Sequence, residues 1–364
     1  MAKKSSPVRT LLNPRNQIIP IVLGLSVAGY LLYSDWNPDA YKAIQWNGYT
    51  LLFMFLALLM VATRDLGYMY RIKVLTKHEI SWRKAFDVIM LWEFASAISP
   101  SVVGGSGVAL FIVNREGIKL GRSTAVVMVT ALMDELFYIL MVPIVILLAG
   151  TQNLFPVELR KEFFGITLGT KDVFVVGYIF ILILTSIITF AIFFKPQAFR
   201  RLLIRLFSFR LLKKWRKGAV ETGNDIITTS RQLKGEKLKF WFQAFGATLF
   251  SWTARFWVVN FLIMAVTATS FSFADHMLIY ARQLVMWVIM LISPTPGSTG
   301  VAEFAFQGFL GEFIVPIGLL ASIILIWRIL TYYLYLIMGS LVLPNWIRRT
   351  YLKRKLIKFK NPVS

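Results

Sequence analysis

Apolar positions along the chain gather into stretches longer than the core elements of a soluble domain, and the polar positions between them are rich in Lys and Arg. A helix needs about 20 residues to cross a hydrocarbon core of about 30 Å. Stretches of that kind run approximately from Ile18 to Trp36, Trp46 to Thr63, Ser123 to Ala149, Val173 to Phe194, Trp241 to Val266 and Phe313 to Val342, which predicts six full spans. Two further apolar regions are interrupted near their middle. One breaks at Pro100 and the run Ser101 to Gly107, the other at Pro294-Thr295-Pro296-Gly297-Ser298-Thr299-Gly300. The limb after each break, roughly a dozen residues or fewer, is too short to cross alone. The pattern predicts re-entrant helical hairpins over 81–121 and 274–312.

Loop charge orients these elements, because Lys and Arg in short loops favour the cytoplasm. The N-terminal segment, with Lys3, Lys4, Arg9 and Arg15, is expected inside, followed by an uncleaved first span. The segment Arg64 to Lys84 and the densely basic loop 195–239 are also placed inside, as is the tail with Arg348, Arg349 and Lys353. Segments Asp35 to Gln45 and Thr151 to Asp172 are placed outside. The two hairpins then enter from opposite sides. Residues 46–150 and 241–343 share the order span, broken hairpin, span in opposite orientation, which predicts an inverted repeat. The expected fold is an all-α polytopic membrane protein: one integral membrane domain over 1–364, with six full transmembrane helices plus two oppositely oriented re-entrant broken-helix hairpins. Its expected place is the cytoplasmic (inner) membrane, with both termini in the cytoplasm.

Composition narrows the chemistry. Of 364 residues, 57% are hydrophobic and only 16% charged, against about 25% charged in a soluble chain. The absence of Cys and the presence of only two histidines, His78 and His276, set aside thiol chemistry and a zinc or histidine centre. No metal or cofactor is called for. The formal charge of +22 is read as loop bias and not as a nucleic-acid footprint. Within 195–239, basic residues such as Arg200, Arg201 and Arg205 interleave with Phe199, Leu202 and Leu206. That spacing suits a helix lying on anionic headgroups of the cytoplasmic leaflet, which makes membrane lipids the expected partners.

The half-helix after each break directs free N–H groups and a partial positive charge of roughly +0.5 toward the membrane interior, where an anion is attracted. Gly104, Gly105, Gly107, Gly297 and Gly300 permit close backbone approach, with Pro296 fixing the second turn. Ser106, Ser298 and Thr299 add hydroxyls that serve equally as helix caps or as ligand donors. Arg255, Arg282 and Arg328 fall within apolar segments, where a charge costs at least about 2.5 kcal/mol, and are candidates to meet a phosphate in forked geometry. Glu303 opens the second half-helix, either as its cap or as a cation or proton site. Glu93, Asp134 and Glu135 serve either ion coupling or ion pairing, and the sequence does not separate the two.

These motifs resemble the transmembrane region of lysylphosphatidylglycerol synthase/flippase proteins and their stand-alone relatives, from about Arg64 to Gly339. The most specific matches are Glu93 to Asp134, with Pro100, Gly104 and Gly105, and the run Pro294 to Glu303 followed by Arg328. The resemblance implies a lipid transporter. The chain ends some twenty residues after the last span, so transport without the soluble aminoacyl-transferase domain is expected. The function expected is a flippase, not an enzyme, that moves an anionic phospholipid or lipid-linked phosphate by alternating access at a midplane phosphate site. An ion-coupled transporter of a small anion is the runner-up, and a membrane-embedded lipid-phosphate enzyme ranks lower.

Overall fold

The computed structural model describes residues 46–352, apart from 100–101, 152, 157–160, 164–165, 210–212, 214–215, 268–270 and 292–294, together with isolated positions before Trp46. The expected first span over 18–36 lies outside the described residues.

The described chain is almost entirely helical. Asn47 starts α1 (Gly48–Leu75) by accepting the N–H groups of Tyr49 and Thr50 at 3.0 and 3.1 Å, which satisfies donors that a helix start leaves open. A turn with Lys77 and His78 at positive φ leads into α2 (Trp82–Ile98), capped by Ser81. Then follow α3 (Val102–Arg115) and α4 (Leu120–Ala149). A small antiparallel hairpin, β1 (Lys161–Phe163) and β2 (Ile166–Leu168), precedes α5 (Thr170–Phe193). The basic segment 195–239, whose spacing suits a helix, contains α6 (Pro196–Leu206) and α7 (Arg216–Leu233). The second half comprises α8 (Leu238–Val266), α9 (Phe273–Leu291) and α10 (Val301–Leu310). The last element is α11 (Leu320–Arg328), joined through a π turn (Ile329–Tyr333) to α12 (Leu334–Ile347).

Among the described residues, five segments are long and apolar enough to cross a membrane: α1, α4, α5, α8 and the run Ile317–Thr350. Each overlaps one of the stretches read from the sequence. Their outward side chains are large and apolar, such as Leu51, Phe55 and Leu58 on α1, Leu147 and Leu148 on α4, and Val176, Phe180 and Ile183 on α5. So much exposed apolar surface calls for lipid as solvent. One boundary differs in a way that matters. The stretch expected to end at Thr63 continues as helix to Leu75, about 42 Å in all. Arg64 and Arg71, counted among loop charges in the sequence, are therefore inside the protein, only 2% and 4% exposed.

Packing follows a reciprocal pattern. Helices α1 and α8 lie against each other along much of their length; α2 packs on α12, α4 on α9, α2 on α3 and α9 on α10. The α1/α8 contact is close enough that a Cβ at Gly67 would overlap the Ser251 hydroxyl, and the α2/α12 contact that one at Gly339 would overlap the Phe94 ring.

Two apolar cores result. One gathers Val61, Phe137, Val145, Phe256, Leu284 and Ile324, the other Tyr68, Leu91, Val129, Ala244 and Trp346. On each long helix the boundary between them is polar: Arg64 and Asp65 fall between Val61 and Tyr68, Asp134 and Glu135 between Met133 and Phe137, and Thr248 and Ser251 between Ala244 and Trp252. In the last span the boundary is Arg328 with the π turn. The fold thus carries a polar belt between two dry cores.

Candidate functional site

A cavity of about 290 Å³ opens in this belt. Helix α1 contributes Tyr68 and Arg71, α2 contributes Trp92, Glu93 and Ser96, and α4 contributes Thr130, Asp134, Glu135 and Tyr138. From α8 come Trp252 and Arg255, from α9 Gln283 and Trp287, and from the last span Trp327, Arg328 and Tyr332. The wall is mainly aromatic and aliphatic with a few placed charges, the usual constitution of a ligand site.

Most of those charges are already paired. Arg71 holds Asp134 at 2.5 Å and donates to the Thr248 hydroxyl at 2.9 Å, while the Trp252 indole N–H donates to the same carboxylate at 2.8 Å. Glu93 lies 2.7 Å from Arg64, whose guanidinium packs over the Tyr335 and Tyr68 rings. Arg328 lies 2.8 Å from Glu303, reaches the Gly297 carbonyl and the Thr299 hydroxyl, and stacks over Tyr332 at 4.1 Å.

Arg255 is different. Its guanidinium sits 4.9 Å from the Trp252 ring and 4.7 Å from the Trp287 ring, partly exposed to the cavity. Among the described residues no carboxylate pairs with it. Indole faces orient a guanidinium and neutralise part of its charge, yet they leave its forked N–H edge available to a phosphate or carboxylate. Glu135 is also without a match among the described residues: its Oε2 is buried without a hydrogen-bond partner, as are the nearby Thr130 and Tyr138 hydroxyls, and no cation among those residues pairs with it.

The two broken motifs reach the cavity unequally. Ser106 lines it, whereas Gly105 lies against Ser96, Gly107 faces open space, and Gly104 lies in the first turn of α3. In the second motif Gly297 and Ser298 line the cavity. Gly297 has φ +57° and a Cβ there would overlap the Tyr332 ring. Ser298 donates to the Met290 carbonyl at 3.0 Å, so its hydroxyl holds the turn. Thr299 and Glu303 lie behind the wall, 1% and 0% exposed, and Pro296 opens a single 3₁₀ turn. The N–H of Gly300 donates to Glu303 at 2.7 Å, so this side chain caps α10 and pairs with Arg328 at once. Arg282 stands apart from the cavity. It donates to the Asn153 and Phe309 carbonyls, pairs with Glu312 at 2.8 Å, and fastens α9 to its neighbours.

The sequence reading passed over Arg64, Arg71 and the tryptophans Trp252 and Trp287. The signal was present for the first two: Arg64, Tyr68 and Arg71 recur at helical spacing and mark one face of α1.

Residues 17–339 match the family model described as the lysylphosphatidylglycerol synthase transmembrane region. The chain belongs to this family. It is also similar to a UPF0104 membrane protein of Archaeoglobus fulgidus, 21% identical over 351 residues, which cover 93% of this chain and 100% of the relative. No solved structure matches it. This member of the synthase transmembrane-region family is a multi-pass α-helical membrane protein, and its matched region contains every residue of the cavity.

Proposed function

We propose that the protein is a lipid flippase that moves an anionic phospholipid or lipid-linked phosphate across the cytoplasmic membrane without chemical change to it. The observation that carries this reading is Arg255, a cation inside an aromatic cavity that forms no ion pair with any carboxylate among the described residues, its neighbour Glu93 being paired with Arg64. A charge in such a place is costly, and is retained where a substrate completes it. The phosphate group would meet the Arg255 guanidinium, with the Ser106 and Ser298 side of the cavity beneath it. Aromatic walls suit the glycerol or isoprenoid segment next to the phosphate. Family membership supports a role in lipid handling.

In this reading α2–α3 and α9–α10 are re-entrant hairpins entering from opposite sides, and 46–150 and 241–343 form an inverted repeat. The reciprocal packing supports it: each first span meets the other, and each hairpin leans on the last span of the opposite repeat, as an approximate two-fold axis in the membrane plane requires. The basic ends of the helices face the cytoplasm by loop charge, and α6 lies along the inner leaflet with Leu202 and Leu206 toward lipid.

The test is transbilayer movement of fluorescent anionic and zwitterionic lipids in vesicles containing the purified protein. Faster movement of anionic lipid that Arg255→Ala abolishes is the expected result. No acceleration of any lipid, with or without a proton or sodium gradient, overturns the reading in favour of transport of a small anion.

A further inference from the structure

In and directly behind the cavity wall the described residues bring together four arginines, Arg64, Arg71, Arg255 and Arg328, and five carboxylates, Asp65, Glu93, Asp134, Glu135 and Glu303. With all of them ionised the belt carries one surplus negative charge. An entering anion adds a second in surroundings that screen poorly. Uptake of an anion is therefore linked to neutralisation of a carboxylate, and the structure distinguishes which.

Asp134, Glu93 and Glu303 each lie 2.5 to 2.8 Å from an arginine. Asp65 lies 3.6 Å from Arg64 and accepts the Tyr335 hydroxyl at 2.9 Å. Glu135 has a buried oxygen with no donor and no cation among the described residues, and its nearest charged neighbour in sequence is Asp134. The other walls do not relieve it. Helix α1 presents Tyr68 and Arg71, with Arg71 committed to Asp134; α2 presents Glu93; α8 presents Arg255; α9 presents only uncharged side chains to the cavity; the last span presents Tyr332, Tyr335 and Arg328, the last committed to Glu303.

We infer that Glu135 is a proton-binding site of the transport cycle: one proton on Glu135 accompanies each anion held by Arg255, so that movement of the anion is coupled to movement of a proton. This deepens the lipid-phosphate reading and rests on it for the identity of the anion. Asp134 and Glu135, adjacent in sequence, then have separate tasks. Asp134 joins α1, α4 and α8, while Glu135 exchanges its proton with whichever side of the membrane the cavity faces.

The experiment measures anion binding and proton uptake together, using purified protein in weakly buffered detergent with a pH-sensitive dye. The four cavity tryptophans, Trp92, Trp252, Trp287 and Trp327, report occupancy by fluorescence. Two probes are used, dimethyl phosphate and dihexanoyl phosphatidylglycerol, both phosphodiesters with constant charge from pH 5 to 9. The expected result is uptake of one proton per anion bound, and an affinity that weakens about tenfold per pH unit once Glu135 ionises. Glu135→Gln is expected to bind both probes with no proton uptake and no pH dependence, and Asp65→Asn to retain the uptake. Binding without uptake in the unaltered protein overturns the inference, as does uptake that survives Glu135→Gln or that disappears in Asp65→Asn alone. Uptake with dimethyl phosphate but no binding of the lipid upholds proton coupling and overturns the lipid reading. Failure to bind either probe overturns both.

Discussion

Arg71 Nη1 on α1 stands 2.5 Å from Asp134 Oδ1 on α4, and Nη2 stands 3.3 Å from Oδ2, so two helices distant in sequence are joined by a forked ion pair. The Trp252 indole N–H adds α8 to the same carboxylate. Removing one partner of a buried pair leaves the other charge unmatched, at a cost of about 3–5 kcal/mol. Asp134→Ala is expected to lower the melting temperature in detergent sharply, and a second change, Arg71→Leu, to recover most of the loss. Melting of Asp134→Ala at the unaltered temperature would show that the pair does not hold the helices.

Arg255 has the opposite balance. Among the described residues it stacks on two indole rings and forms no ion pair, so Arg255→Ala is expected to leave the melting temperature nearly unchanged while weakening anion binding. A charge-assisted hydrogen bond contributes about 1.5–3 kcal/mol, which makes binding at least about tenfold weaker. Arg255→Lys keeps the charge without the flat stack or the fork, and an intermediate affinity is expected in the tryptophan fluorescence titration.

Gly297 tests the second broken motif. At φ +57° an alanine is strained by about 1–2 kcal/mol, and its methyl group meets Tyr332, over which Arg328 stacks. Gly297→Ala is expected to destabilise the protein, and combining it with Tyr332→Ala to relieve the steric part while the backbone strain remains. Equal melting of the single and double variants would rule out the overlap as the cause.

Acid sensitivity is expected away from the cavity, at Glu236 between α7 and α8. Partial burial works to raise its carboxyl, but hydrogen bonds from Lys77 and Arg122, at 2.9 and 3.0 Å, outweigh that and hold it below the ordinary glutamate value. A carboxyl lowered in the folded state stabilises it above the unfolded value of about 4.3, and the contribution is lost as pH falls from there through the folded value. The melting temperature of the unaltered protein is expected to exceed that of Glu236→Gln at pH 7, and the difference to shrink only as pH falls from about 4.3 toward 3. A constant difference over that range would contradict the assignment.

The second interruption was legible because Gly297 and Gly300 take positive φ; the first is shorter than the sequence pattern implies, since α3 is helical from Val102 and carries Gly104, Gly105 and Gly107 within it. Five of the six spans were legible because lipid imposes length and apolarity. Arg255 and Arg328 stood out for the same reason, as charges in the middle of apolar runs. Arg64 and Arg71 did not, because a basic residue just past an apolar stretch is indistinguishable in one dimension from a loop charge. Only the twelve further residues of α1, Arg64 to Leu75, bring them inside. Asp134 and Glu135 could not be separated either, since adjacent positions on a helix point about 100° apart and the partner across the gap is set by tertiary packing. Arg282 shows the converse: its position in an apolar segment marked it as a site residue, yet it is consumed by Asn153, Phe309 and Glu312.

The π turn at Ile329–Tyr333 gives the last span one residue more than a continuous α-helix would use for the same path. That extra residue sets the phase of everything after it: Tyr335 onto Asp65, Trp346 onto Glu116, and Arg349 onto Asp87 at 2.5 Å. Loss of a single residue there would turn the remaining helix by about 100° and carry all three side chains away from their partners at once. The last helix therefore works like a key cut in two halves, whose far half fits only while the offset between them is kept.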